Sequence, residues 1–267
     1  MKLSMALRQQ GNESAPNLVL IHGLGSAATV WKPLISKVQE TFNIITLDLP
    51  GHGLTPLNKD QPMDPQSLAK LIVKNLEQEL GVREFHLVGN SWGGWIALEI
   101  ASLFPERVKS VHALAPAGFW LATFDQKFPG EALGRALMPI IKILAPTLLK
   151  YESGKKFLFQ EGSPQGRNFT YETCLDAINA MASSPGFTSA SNGMLKKRFE
   201  SEIDSSVPVN IFFGDCDNTL PAPTCQDKAM VPSHAEWITL VGSGHAPMLD
   251  NPEKIASYVL ATVRRIS

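Results

Sequence analysis

Phe85-His-Leu-Val-Gly-Asn-Ser-Trp-Gly-Gly-Trp95 is the stretch on which the fold turns. Its first four residues read as a short buried strand, and residues 92–104 read as a helix ended by Pro105. At the join lies Gly89-Asn-Ser91-Trp-Gly93, a G-x-S-x-G pattern. A serine at the apex of so sharp a strand-to-helix turn lifts its hydroxyl above the sheet. The turn crowds the residues two before and two after it, and glycine there removes the Cβ atoms that would collide. The following helix also points its positive end at the place where negative charge would develop. A bare Gly/Ser turn can occur without any chemistry. The strand before and the helix after are what make Ser91 a candidate nucleophile.

Outward from this turn, short runs rich in Val, Ile, Leu and Phe predict further buried strands over 18–21, 44–47, 108–114, 209–213 and 237–241. A helix is predicted over 64–80, where Leu68, Leu71, Ile72 and Leu76 recur near helical spacing before Gly81. Another is predicted over 252–266, with Asn251 as N-cap and Pro252 at its first position. Strand–helix–strand alternation predicts an α/β fold, a mostly parallel twisted sheet with helices on both faces. The rhythm breaks over 119–200, which contains no strand signal and reads as helices and loops. That segment holds 10 Lys+Arg against 7 Asp+Glu, so it is slightly basic while the remainder is slightly acidic. The expected organisation is a core over 1–118 and 201–267 interrupted by a helical insertion over 119–200.

The 267 residues carry a formal net charge of -1, with 44% hydrophobic and 18% charged residues. This composition fits a globular chain long enough to bury its own core, and the charge balance argues against nucleic-acid binding. Cys174, Cys216 and Cys225 fit neither a disulfide framework nor a zinc site, so a reducing, cytoplasmic setting is expected. The N-terminal MKLSMALRQQ lacks the apolar stretch of a signal peptide. Residues 133–149 are apolar but broken by Arg135, Pro139, Lys142 and Pro146, so no membrane span is expected. Neither G-x-G-x-x-G nor G-x-x-x-x-G-K-[ST] occurs, so no nucleotide cofactor is expected, and no metal either.

A serine hydroxyl needs a base within hydrogen-bond reach, and the base needs an orienting group. Among six histidines, His86 and His112 lie inside predicted strands and read as structural. His22 and His52 sit in glycine-bearing loops and read as structural hydrogen-bonders, and His234 falls in a polar connection. His245 follows the last strand after Gly242-Ser-Gly244, small residues that let its ring approach the serine turn, and it is the candidate base. The orienting acid should leave the end of the 209–213 strand, where both Asp215 and Asp217 qualify.

Four segments in chain order resemble the α/β-hydrolase family. They are Leu20-Ile-His-Gly-Leu-Gly25, Asp48-Leu-Pro-Gly-His-Gly53, the turn Gly89–Gly94, and Gly242-Ser-Gly-His-Ala-Pro247. The likeness covers about residues 15–118 and 205–267. It implies a helical cap over 119–200 and a catalytic triad in the order Ser91, Asp217, His245. Asp217 is selected by matching Gly214-Asp-Cys-Asp-Asn-Thr-Leu-Pro221 to the family's G-x-x-D-x-x-x-P, which leaves Asp215 as a turn residue. In some members the acid follows the preceding strand, but here that stretch, Ala113-Leu-Ala-Pro-Ala-Gly118, has no carboxylate. The resemblance further implies an oxyanion hole built from the backbone N–H groups of Trp92 and Leu24.

The activity implied is that of a serine carboxylesterase acting through an acyl-enzyme on Ser91. With His245 as base, the rate should rise with pH as the imidazole loses its proton. Serine rather than aspartate at the apex sets aside the haloalkane dehalogenase and epoxide hydrolase branches. Trp31, Trp92, Phe119, Trp120, Phe124, Phe128 and Phe157 are candidate linings for a small to medium apolar substrate. The expected partner is a small-molecule ester. Asn90 gives a G-N-S-x-G-G turn resembling carbon–carbon hydrolases of ring-fission diketones. Those enzymes also use a cap arginine, for which Arg135, Arg167 or Arg198 would serve, and usually a Trp after the catalytic His, where this chain has Ala246. That reading, and a non-catalytic ligand receptor on the same fold, are the two alternatives.

Overall fold

Residues 5–124 and 131–266 are described by the computed structural model. Among them seven strands form one sheet: β1 (Ala6–Gly11), β2 (Asn17–Ile21), β3 (Asn43–Asp48), β4 (Phe85–Asn90), β5 (Val108–Leu114), β6 (Val209–Gly214) and β7 (Glu236–Leu240). Their order is β1-β3-β2-β4-β5-β6-β7, all parallel except for β1, which runs antiparallel to β3. The helices are α1 (Lys32–Val38), α2 (Pro65–Leu80), α3 (Trp92–Leu103), α4 (Glu131–Leu148), α5 (Glu152–Phe159), α6 (Tyr171–Ala182), α7 (Phe187–Met194), α8 (Ala222–Cys225), α9 (Pro247–Asp250) and α10 (Pro252–Ile266).

Strand β2 explains the layering. Its residues are buried on both faces, so the run is apolar throughout rather than alternating. Val19 and Ile21 pack into a core shared with Leu68, Ile72, Ile96 and Ile100 of α2 and α3. Leu18 and Leu20 pack on the opposite side with Leu34 and Val38 of α1 and Ile255 and Val259 of α10. Helix ends follow local chemistry. The Asp64 carboxylate accepts from Ser67 N at 3.3 Å to start α2, and Gly81 closes it at φ 66, the left-handed conformation that glycine adopts without a steric penalty. Asn251 Oδ1 accepts from Lys254 N at 3.2 Å at the start of α10.

Strand β1 has no counterpart among the predicted strands. Its sequence, Ala-Leu-Arg-Gln-Gln-Gly, carries little apolar signal, and its last four residues are exposed. Backbone pairing to β3 at the sheet edge holds it, and such pairing leaves no trace in side-chain pattern.

The site is positioned by the point where the strand order reverses. From β2 the chain moves outward to β3, then returns to place β4 on the other side of β2. The loops leaving β2 and β4 therefore diverge from adjacent strand ends and open a crevice there. Between β5 and β6 no strand occurs among the described residues. Helices α4 to α7 lie there, and Ala145, Leu149, Phe169, Cys174 and Ile178 form an apolar cluster of their own.

Candidate active site

Ser91 lies at φ 55 and ψ -117, one of two non-glycine residues with positive φ among those described. This is a strained conformation for an L-residue, so neighbouring structure must impose it. The Ser91 amide donates to Leu114 O of β5 at 2.9 Å, and its carbonyl accepts from Trp95 N at 3.1 Å and Ala117 N at 3.0 Å. A Cβ on Gly89 would overlap the Gly93 carbonyl, and one on Gly93 would overlap the Ile21 carbonyl at the end of β2. The two glycines let the turn close on itself and against the neighbouring strand.

His245 and Asp217 meet across the ends of β6 and β7. Asp217 Oδ1 accepts from the amides of Thr219 at 3.0 Å and Leu220 at 2.8 Å, while Oδ2 lies 2.9 Å from His245 Nδ1. An N–H at Nδ1 donating to this buried carboxylate leaves Nε2 as the ring's acceptor. Asp215 instead accepts from Gly242 N at 2.8 Å and ties one turn to the next. The His245 loop is clamped from two sides. The His245 amide donates to Gly162 O at 2.8 Å, and the Gly244 amide donates to Asp250 Oδ2 at 2.7 Å, while the Ser163 hydroxyl donates to Asp250 Oδ1. Burial pushes the Asp250 carboxyl up, and these two donors pull the other way. Asn90 Nδ2 bridges the halves of the site, donating to Leu114 O at 3.1 Å and His245 O at 2.9 Å.

Ser91, His245 and Leu24 face one cavity of about 770 Å³. Trp120, Phe124, Met181, Phe187, Met194 and Leu220 supply most of its apolar wall. The Trp120 indole N–H donates to Lys197 O at 2.7 Å, so its polar edge is satisfied away from the cavity. Of the other aromatic residues predicted to line a pocket, Trp31 is buried on the α1/α10 side of the sheet. Phe119 packs edge-on against Phe199, with centroids 5.6 Å apart, in the opposite core. Phe157 on α5 is 80% exposed. Phe128 lies outside the described residues. These placements correct the predicted lining: an aromatic side chain signals burial, and only tertiary packing decides in which layer. Met181, Phe187 and Met194 were not predicted. The methionines offered a faint signal, since such flexible side chains suit irregular apolar gaps. Trp92 opens α3 at the turn, so its amide is among the first-turn donors left without helical acceptors. Its indole packs in the core beside His52, with centroids 5.7 Å apart.

None of the three candidate arginines lines this cavity among the described residues. Arg135 donates to Met181 O at 2.9 Å and Ser184 O at 3.2 Å; Arg198 pairs with Asp227 at 2.7 Å. Arg167 lies in a separate surface dent with Lys156 and Gln160. The remaining histidines have structural partners. His22 Nδ1 donates to Gly23 O at 2.7 Å while its Nε2 accepts from Leu49 N at 3.0 Å. His52 bonds Pro50 O at 3.0 Å, His86 bonds Ser110 Oγ at 2.9 Å, and His234 bonds Val207 O at 3.1 Å. Burial lowers His22, takes His52 and His112 down to about 3, and takes His86 to about 4. These four rings are neutral near pH 7. Cys225 lines the cavity, but burial raises its thiol. A hydrogen bond with Asp215 raises the exposed Cys216 thiol. Neither sulfur is poised as a thiolate nucleophile.

The chain belongs to the alpha/beta hydrolase family, whose sequence pattern matches residues 18–258. It is 27% identical over 263 residues to the dihydrolipoyllysine-residue acetyltransferase component of an acetoin cleaving system from Pseudomonas putida, covering 96% of this chain and 65% of that one. Two further curated relatives are also longer, and the chain spans 59% and 35% of them. It is 23% identical to a pimeloyl-[acyl-carrier protein] methyl ester esterase from Vibrio parahaemolyticus, covering 96% of this chain and 98% of that one. Its fold is similar to that of 2-hydroxy-6-oxo-6-phenylhexa-2,4-dienoate hydrolase from Rhodococcus sp. strain RHA1, at a TM-score of 0.69 and 21% identity over 97% of this chain and 94% of that one.

Proposed function

We propose that this protein is a serine hydrolase of carboxylic esters with a small to medium apolar part. The observation that carries the reading is the strained Ser91 facing the same cavity as a histidine whose Nδ1 is held 2.9 Å from a buried aspartate. His245 Nε2 takes the hydroxyl proton as Ser91 Oγ attacks the ester carbonyl, and Asp217 keeps the ring oriented and stabilises the imidazolium. The amides of Trp92 and Leu24 receive the oxyanion, each such donor contributing about 3–4 kcal/mol to the transition state. His245 then protonates the leaving alcohol. Water, activated by the same nitrogen, attacks the acyl-enzyme and releases the acid. Residues 119–200 act as the cap over a core made of 1–118 and 201–267, a reading supported by α4 to α7 and by Met181, Phe187 and Met194 in the cavity wall. The apolar wall supports an apolar acyl or alcohol moiety. The Vibrio relative named as a methyl ester esterase, matched over nearly its whole length, supports ester chemistry.

The carbon–carbon reading loses its main support. The hydrogen bonds of Asn90 to Leu114 and His245 give that residue a structural reason, and no arginine lines the cavity among the described residues.

Hydrolysis of a series of p-nitrophenyl esters by wild type and Ser91→Ala tests the proposal. Turnover by wild type, a fall of about 10³-fold or more in the variant, and a mass shift with a fluorophosphonate probe only in wild type are expected. Near-full activity in Ser91→Ala would sink the assignment. Silence of wild type toward both esters and probe would favour a ligand receptor.

A further inference from the structure

The outward face of α4 carries no charge. Leu133, Leu137, Ile140, Ile143 and Leu144 are 65%, 42%, 55%, 77% and 50% exposed. The opposite face carries Arg135 and Lys142, which donate to Met181 O and Ser183 Oγ, and Ala145, which is buried in the cluster of Phe169, Cys174 and Ile178. A helix whose inward face is held by the protein and whose outward face is wholly apolar is at rest when something other than water lies on its outer side. Just beyond it, Tyr151 and Phe157 are 63% and 80% exposed. Residues 131–160 hold five basic side chains (Arg135, Lys142, Lys150, Lys155 and Lys156) against two acidic ones, Glu131 and Glu152, in a chain whose net charge is -1. Arg135, Lys142 and Lys155 donate inward to Met181 O, Ser183 Oγ and Phe169 O, and Lys150 and Lys156 are exposed. Among the described residues no helix is long and apolar enough to cross a membrane. An apolar face flanked by lysines, with a tyrosine at the helix end, has the chemistry of a helix lying in a lipid headgroup plane. A second copy seated on this face would bring two basic segments together, whereas anionic lipid satisfies both the charge and the apolar surface.

We propose that α4 docks this protein on the surface of a bilayer containing anionic lipid, lying in the plane of the headgroups. The helix also touches the cavity wall. Arg135 on α4 donates to Met181 O and lies 4.8 Å over the Phe187 ring, and both Met181 and Phe187 line the cavity of Ser91. Docking would set the lipid against the helix whose inward Arg135 supports that cavity wall. That Ser91 draws apolar esters from the surface rests on the esterase reading; the docking itself does not.

Co-sedimentation of the full chain with phosphatidylcholine vesicles, with and without about a quarter of phosphatidylglycerol, tests the docking. Pelleting with the anionic vesicles is expected, weakened by raised salt. The double variant Ile140→Asp/Ile143→Asp should partition at least about tenfold less, with its thermal midpoint unchanged as the sign that it folds. Ser91→Ala should pellet like wild type, so loss of the esterase reading leaves the docking result intact. Wild type remaining in the supernatant with both vesicles, or the double variant pelleting equally well, would overturn the proposal. So would a wild-type dimer that the double variant dissociates, because a second copy would then cover the face.

Discussion

Asn90 joins the two halves of the site through one side-chain amide, so its removal has a calculable asymmetry. The Leu114 carbonyl keeps the Ser91 amide as a donor, while the His245 carbonyl loses its bond from Asn90. Asn90→Ala should therefore cost about 1–2 kcal/mol and lower kcat more than it changes KM, measured by urea unfolding and ester kinetics. An unchanged kcat would mean that the His245 loop holds itself. Asp217→Asn should lower kcat by about 10³–10⁴-fold while KM changes little, since Asp217 does not line the cavity. Near-wild-type turnover in that variant would exclude Asp217 as the orienting acid. At this scale Ser91 and His245 were legible because small residues flank both. Asp217 was separable from Asp215 only by resemblance, and the geometry gives the physical difference: one carboxylate meets the imidazole, the other a backbone amide. The bridging role of Asn90 was illegible, because its partners are backbone atoms more than twenty residues away.

At the scale of elements, two glycines separate dihedral cost from steric cost. Gly81 closes α2 at φ 66 with open space where a Cβ would sit. Gly81→Ala should cost about 1 kcal/mol and lower Tm by about 2–4 °C. Gly93 meets the backbone carbonyls of Ile21 and His22, which no side-chain rotation can relieve. Gly93→Ala should lower Tm by at least about twice as much; equal midpoints in thermal melts would contradict the close packing of α3 on β2. Central strands were legible to within a residue or two, as with 108–114, because burial on both faces writes a continuous apolar run. The edge strand β1 was not, since main-chain bonds hold it. The absence of strands between β5 and β6 among the described residues was legible as a break in rhythm, but not the way α4 turns a row of leucines and isoleucines outward.

For the whole molecule, buried neutral histidines set the response to acid. His52 and His112 are held down to about 3 and His86 to about 4, all by burial. Between those values and the ordinary 6.5, the unfolded chain binds protons that the native state refuses, so stability is complete above about pH 6.5 and is lost as pH falls toward 4. Each ring contributes a slope of up to about 1.4 kcal/mol per pH unit. Urea midpoints should drop steeply between pH 6.5 and 4, and a flat profile there would refute the neutral burial of these rings. The sequence by itself determined the sheet and its helices, the serine turn and the histidine loop. Those features are written in local periodicity, in glycine where a Cβ cannot fit, and in short-range turn chemistry. Only the tertiary structure decided which aromatic side chains reach the cavity, that Met181, Phe187 and Met194 complete its wall, and that the arginines turn elsewhere. A side chain's apolarity requires that it leave water, but its neighbours across the fold choose the surface it is buried against.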